Sequence, residues 1–328
     1  MECPCPVWIS QEDNVENLIF ALNATMPVFL MMVLGYLLKK LNWIDEEFAS
    51  KMNSFVFHVP LPVLVFKDLA TVDFIEVWDT KFVVFCFVAT LLSILFAVGI
   101  SLLWKDNSIR GEFVQASYRS SAAILGIAFI QNIYGNAGMG PLMVVASVPL
   151  YNVAAVLILT LLGKEQKRMD KAILTRTLKG IVTNPIIIGI VLGFVWSLMR
   201  IPMPYIMEKT VTNVANIATP LGLMAMGAAF DWEKAFAKLK PALTAVAIKL
   251  VGFVLIFLPV AIKMGFREEK LIALLVMLGS ATTISCYVMA KNMGHEGTLT
   301  SSVVMLTTLL CAFTLTMWIF MLKTCGLL

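Results

Sequence analysis

The chain has little charge and almost no histidine. Only 14% of its 328 residues are Asp, Glu, Lys or Arg, and there are two histidines. A soluble domain is nearer a quarter charged, so a fully solvated surface is excluded. His58 and His295 stand in different settings and leave no ready base for a nucleophile. A phosphate-binding glycine loop, a nucleophile elbow and a paired-histidine zinc motif are also missing, so we read no enzyme here and expect no cofactor or metal. The six cysteines do not change this. Cys86, Cys286 and Cys311 lie in apolar runs, Cys325 in the tail, and Cys3 and Cys5 offer two sulfurs with no histidine nearby. No basic stretch followed by a short apolar core opens the chain, so no cleaved signal is expected and the first apolar segment directs insertion.

Apolar sequence is what the chain has in quantity. Hydrophobic residues make up 59% and the mean hydropathy is +0.88, which predicts an all-α integral membrane protein occupying 1–328 as one membrane domain. The formal charge of +4 is read as loop lysines against an anionic membrane surface, with no nucleic-acid partner. Apolar runs of about 20 residues predict ten spans, at roughly 16–39, 46–69, 81–104, 111–134, 139–163, 178–199, 205–229, 241–264, 269–292 and 298–322. Nearly twice as many loop lysines and arginines fall on the side that holds Lys39, Lys40, Lys105, Lys234 and the polar link Lys164–Lys171 as on the other. That side is expected to be cytoplasmic, with both termini outside a plasma membrane.

The halves repeat. Pro27…Gly35 returns as Pro185…Gly193, an offset of 158 residues, and Asn53…Pro60-Leu61 returns as Asn213…Pro220-Leu221 at 160. Arg119-Ser120-Ser121-Ala122-Ala123-Ile124 faces Gly279-Ser280-Ala281-Thr282-Thr283-Ile284 at the same 160, and Asn132 faces Asn292. Five spans per repeat is odd, so the second copy enters inverted, and a site is expected near the midplane axis. The repeats are 16–163 and 178–323, joined by a cytoplasmic loop at 164–177. Pro60 and Pro220 are expected to kink spans two and seven in matching places.

Spans four and nine are interrupted by glycine and hydroxyl residues, which predicts broken, crossing helices whose freed backbone lines a cavity. Half-helix N-termini suit a carboxylate. Ser120, Ser121, Ser280, Thr282, Thr283 and Ser285 would add hydroxyl donors, although small residues also simply let helices approach. Arg119 and Lys249 are the clearest cations inside spans, where charge marks function. Arg119 either attracts an anion or caps a helix end. Lys249 either pairs with helix carbonyls or a carboxylate, or couples transport. Asp79 and Lys81, at the mouth of span three, are candidates for coupling, while Asp68, Asp73 and Glu76 read as solvated. Asn152 is an interhelical bond or a pocket group, with packing the commoner role.

Tyr118-Arg119-Ser120-Ser121…Gly126-Ile127-Ala128…Tyr134-Gly135 resembles the Phe-Arg-Ser-Asn…Gly-Ile-Pro…Tyr-Gly stretch of helix four in the auxin efflux carrier family, which includes bacterial malate/malonate-type permeases and plant PIN-FORMED carriers. Pro149-Leu150-Tyr151-Asn152, Tyr287-Val288-Met289-Ala290-Lys291, Met26-Pro27, Asn53 and Val59-Pro60-Leu61 are similar to its motifs in helices five, nine, one and two. The resemblance implies ten helices in two inverted repeats, helices four and nine crossing, with helices one, two, six and seven as a scaffold and the rest moving as an elevator. It places Ser121 where the family has asparagine, Val59 on the pocket wall, and Ala122, Gly126, Gly279 and Ala281 at the crossover. Ala128 and Ala281 stand where the family has prolines, so the breaks must rest on Gly126, Gly279 and the hydroxyls. The expectation is therefore a secondary carrier of small organic anions working by alternating access, in contact with lipid and with a homodimer through the scaffold. Its rivals are a sodium- or proton-coupled carrier of another amphipathic anion, a channel and a transporter-like sensor.

Overall fold

The computed structural model describes residues 11–71, 78–122, 126–134, 138–162 and 182–328. Expectations for Cys3, Cys5, Asp73, Glu76, Ala123, Ile124, Gly135 and the loop 164–177 fall outside these residues. Every regular element among the described residues is helical. In chain order they are α1 (Gln11–Lys40), α2 (Glu46–His58), α3 (Pro60–Ala70), α4 (Thr80–Ser101), α5 (Arg110–Tyr118), α6 (Ile127–Tyr134), α7 (Gly140–Leu161), α8 (Pro185–Met199), α9 (Tyr205–Ala228), α10 (Trp232–Ala237), α11 (Leu239–Lys263), α12 (Glu268–Gly279), α13 (Ser285–Asn292) and α14 (Thr298–Thr324).

Local chemistry sets these boundaries. Asp45 starts α2 by accepting the Phe48 N–H at 2.7 Å, and Asp79 starts α4 by accepting that of Phe82 at 3.0 Å. Such caps satisfy donors that have no partner within the helix. Pro185 sits at the first position of α8, after the Asn184 cap. Pro60 likewise opens α3, and Val59 before it, with φ −121° and ψ −74°, divides α2 from α3. Pro220 acts differently: α9 runs through it as one element. The two prolines therefore do not interrupt their helices alike.

Four helices, α4, α7, α11 and α14, are long and apolar enough to cross a membrane by themselves. They coincide with the third, fifth, eighth and tenth spans expected from sequence. Three of the remaining expected spans are each built from two pieces, α2 with α3, α5 with α6, and α12 with α13. A short half-helix cannot reach across a hydrocarbon core about 30 Å thick at 1.5 Å per residue.

Buried side chains gather in two large bodies and one small cluster, the last between α1, α2 and α9 around Met52 and Ala225. One core joins α4, α5, α6, α7, α11, α12 and α14 around Phe113, Phe253, Leu274 and Leu315. The other is centred on α1, α2, α3, α8 and α9, around Val56, Leu69, Ile186 and Leu223, and it also takes in one face of α7 and of α13. In the second body glycine lets backbones touch. A Cβ on Gly227 of α9 would stand 1.9 Å from the Met32 carbonyl oxygen of α1, and one on Gly35 of α1 would stand 2.1 Å from that of Met224. Between α8 and α3 the same holds, with Gly189 against the Pro62 oxygen at 2.5 Å and Gly193 against that of Phe66 at 2.8 Å.

Neither backbone at these contacts can yield without moving a whole helix. Gly227→Val is therefore expected to lower stability by about 1–3 kcal/mol or more, the range for overpacking. Gly99→Ala on exposed α4, where nothing lies within 4 Å, should leave it unchanged or slightly raised. Thermal melts of the two purified variants in detergent would separate these outcomes.

Candidate functional site

The two interruptions meet. α5 ends at Tyr118, and residues 119–121 leave the helical path before α6 begins. α12 ends at Gly279, and Ser280 is extended, with φ −79° and ψ 168°. The Ser121 N–H donates across the junction to the Ala281 carbonyl at 2.9 Å, and the Gly126 N–H returns to the Ser121 carbonyl at 3.1 Å. Gln115 Nε2 on α5 donates to the Cys286 carbonyl of α13 at 2.8 Å. Thr282 Oγ1 donates to the Ala116 carbonyl at 2.9 Å, while the Thr282 N–H donates to Thr307 Oγ1 of α14 at 3.0 Å.

Breaking a helix leaves carbonyls without partners at its C-terminal end. Here two such ends, those of α5 and α12, point at one amine. Lys249, fully buried in the π-helical turn Ile248–Gly252 of α11, donates to the carbonyls of Tyr118 at 3.2 Å, Leu278 at 3.0 Å and Met277 at 3.5 Å, and to Ser120 Oγ. Ser120 Oγ in turn donates to the Met277 carbonyl. Helix C-termini carry about half a negative charge each, so two of them offset the ammonium without a carboxylate. Lys249 is thus held as a strut of the junction and does not line the neighbouring cleft.

Arg119 is situated differently. It is 2% exposed, and its guanidinium reaches only neutral groups, Asn152 Oδ1 at 2.7 Å, Ser285 Oγ at 2.7 Å and the Met289 sulfur, while Nε has no partner. Asn152 is itself fixed by donating to the Val148 carbonyl at 2.9 Å. No carboxylate lies within ion-pair distance of Arg119 among the described residues. The guanidinium borders a cleft lined also by Ser120, Ser121, Ala122, Tyr151, Asn152, Thr283, Ile284 and Ser285 from the junction, and by Leu61, Leu64, Val65, Asp68 and Thr219 from α3 and α9. Its open core is about 60 Å³. One water needs about 10–15 Å³ on that measure, so this conformation admits a small molecule and nothing bulky.

The remaining expected residues fall elsewhere. Gly126, Gly279, Ser280, Ala281 and Thr282 are buried within the junction and do not line the cleft. A Cβ on Gly279 would meet Val254 Cγ2 at 2.8 Å, and the Ser280 hydroxyl has no partner. Val59, expected on the pocket wall, is 42% exposed at the α2–α3 division, outside the lining. Asp79 and Lys81 lie apart from the cleft and from each other's charge. Asp79 binds Lys270 Nζ at 2.5 Å, and that bond, with the Phe82 N–H, holds its carboxyl below the usual carboxylate range. Lys81 donates to the Met264 carbonyl at 2.5 Å.

Several cleft residues escaped the sequence reading, the polar Thr219 and Asp68 among them. Thr219 stands 160 residues after Val59, the same offset that relates Pro60 to Pro220, so the repeat itself pointed to it. Asp68, read as a solvated charge, instead borders the cleft, and nothing in its sequence setting distinguished the two. At the opposite end of the α2–α3 pair lies a wider polar vestibule of about 840 Å³, rimmed by Lys39, Lys40, Lys234 and Lys291 together with Glu46, Asp231 and Glu296.

A family model described as membrane transport protein matches residues 20–319. The chain is 22% identical over 302 residues to a protein of Methanothermobacter thermautotrophicus named "Uncharacterized transporter", covering 90% of this chain and 96% of that one. It is 25% identical over 330 residues to a protein of Rhizobium meliloti named "Putative malonate transporter", covering 91% and 95% respectively.

Removing the Lys249 amine strands several buried carbonyls, each costing about 1–3 kcal/mol. Lys249→Met should therefore destabilise the chain by about 3 kcal/mol or more, whereas Ser280→Ala, which removes a hydroxyl without a partner, should be neutral or stabilising. Melting temperatures in detergent would check both.

Proposed function

The chain belongs to the membrane transport protein family, the auxin efflux carriers whose motifs it resembles, and from that premise we propose that it is a secondary carrier of small organic anions. The observation that carries this reading is the contrast between its two buried cations. Lys249 is neutralised by two helix ends, while Arg119, beside a cleft at the helix breaks, has no carboxylate within ion-pair distance among the described residues. A buried guanidinium without a counter-ion is costly, and a substrate carboxylate is the natural group to offset it. Ser121 and Thr283 add hydroxyl donors, and Ser285 holds the guanidinium in place. The small cleft favours a short acid over a large amphipath, and the malonate named for one relative is of that size class.

In this reading the chain makes ten membrane passes in two inverted repeats. The reciprocal glycine contacts support it, since α1 packs on α9 as α8 packs on α3, which is what exchange of the two repeats requires. The two hydrophobic bodies support an elevator in which the junction and α4, α7, α11 and α14 move against α1, α2, α3, α8 and α9. The lysine-rimmed vestibule is the cytoplasmic mouth, both termini face outward in the plasma membrane, and a homodimer forms through the less mobile body.

The test is counterflow of labelled short mono- and dicarboxylates in proteoliposomes. Ser121→Leu fills the cleft while preserving the main-chain bond to Ala281, so it should reduce uptake to that of empty liposomes in a protein that still runs as a folded species. Uptake by Ser121→Leu at the wild-type rate would overturn the site. Thr282→Leu is a poorer probe, because Thr282 braces the junction and its replacement reports on folding.

A further inference from the structure

The cleft that holds Arg119 also holds an acid. Asp68, in the last turn of α3, is partly buried and lines the same small space as Arg119, Ser121, Asn152 and Thr283. It makes no hydrogen bond or ion pair with any described residue. If Asp68 were present to neutralise Arg119, the two would pair directly, since an Arg–carboxylate fork is the strongest arrangement open to them. Instead Arg119 is turned to Asn152 and Ser285. With Asp68 ionised, the cleft carries a cation on one wall and an acceptor-only carboxylate on another, and a ligand that completes both is itself bipolar.

We propose that the transported carboxylic acid is engaged at two points, its carboxylate by Arg119 and a hydrogen-bond donor of the same molecule by the Asp68 carboxylate. The substrate class is then a short carboxylic acid bearing a donor, whether a hydroxyl, an ammonium or a second carboxyl that keeps its proton. A fully ionised dicarboxylate is disfavoured, because its second charge would face Asp68 with no cation between. This inference rests on the carboxylate-carrier reading above and narrows it.

Propionate, lactate and alanine share a three-carbon acid skeleton and differ in carrying no donor, a hydroxyl or an ammonium, so they separate the sources of that donor. The full-length chain in proteoliposomes should take up lactate, alanine or both at least about ten-fold faster than propionate at pH 7, because a site built around a donor rejects the analogue lacking it. Malonate, doubly ionised at that pH, should group with propionate. In Asp68→Asn, a replacement of equal size, the ratio to propionate should collapse to within about two-fold. The lactate- or alanine-induced rise in melting temperature seen for the wild type should vanish with it. Equal wild-type rates for propionate, lactate and alanine would overturn the inference, as would a ratio that survives in Asp68→Asn. Should that variant not fold, the wild-type comparison decides alone. Absence of uptake for every acid would overturn the carboxylate reading itself, and this inference with it, so the two failures are distinguishable.

Discussion

A helix broken inside an apolar slab must answer for every carbonyl it frees, and the rest of this structure depends on how that is done. Water is not there to accept the debt, and an unsatisfied peptide group in such surroundings costs several kcal/mol. The chain ends two helices within reach of one lysine amine. Tyr118, Met277 and Leu278 present their carbonyls to Lys249, and the π-helical turn that carries Lys249 places that side chain among them. The serine and threonine hydroxyls complete the arrangement by bonding to main chain, Ser120 to Met277 and Thr282 to Ala116. Most of the polar residues at the break are therefore spent on holding it open.

That expenditure explains why so few of them face the cleft. A residue whose hydroxyl already satisfies a carbonyl has little left for a ligand, and Thr282, bonded through both its N–H and its Oγ1, is the clearest case. Ser121 differs because its backbone makes the junction bond and leaves its side chain to the cleft. Arg119 differs for another reason. Its partners are neutral, so their hydrogen bonds fix its direction without removing its charge. Asn152 is thus a positioning residue, holding the guanidinium from α7 while anchored to Val148.

Much of this was legible in the sequence, and the limits are physical. Glycine with clustered hydroxyls in an apolar run marked both interruptions, because such residues are where backbone can leave a helix in lipid. The repeat offset marked their partnership. What sequence could not supply was direction around the helix axis. Ser280 and Ser121 look equally suited to a site, yet one hydroxyl is sealed in the core and the other borders the cleft. Depth along a helix was equally hidden. Asp68, at the polar end of an apolar run and next to Lys67, has the pattern of an interfacial charge, and only the packing of α3 against the junction turns it inward. Val59 shows the converse, since its place before Pro60 fixed a break in the backbone but not which way the side chain would point.

The polar contacts of the junction join α5, α7, α11, α12, α13 and α14 to one another. Those found between that group and the second body are few, chiefly Asn53 Nδ2 to the Val288 carbonyl at 3.5 Å and Asn292 Nδ2 to the Asn53 carbonyl at 3.3 Å, both long. The rest of that boundary is apolar contact such as Val56, Ile284 and Val288 around Gly222. Apolar contact is non-directional, so sliding exchanges one set of neighbours for another at small net cost. The hydrogen bonds of the junction are directional and buried, so they resist any motion that separates its parts. If the two bodies move relative to each other, as proposed above, the helix breaks and the wall of the cleft that carries Arg119 must travel together as one piece. Asp68 and Thr219, which belong to the other body, would then be left behind. Arg119 and its bound carboxylate would move away from them, so the donor at the ligand's far end would be gripped in one state of the cycle and released in the other.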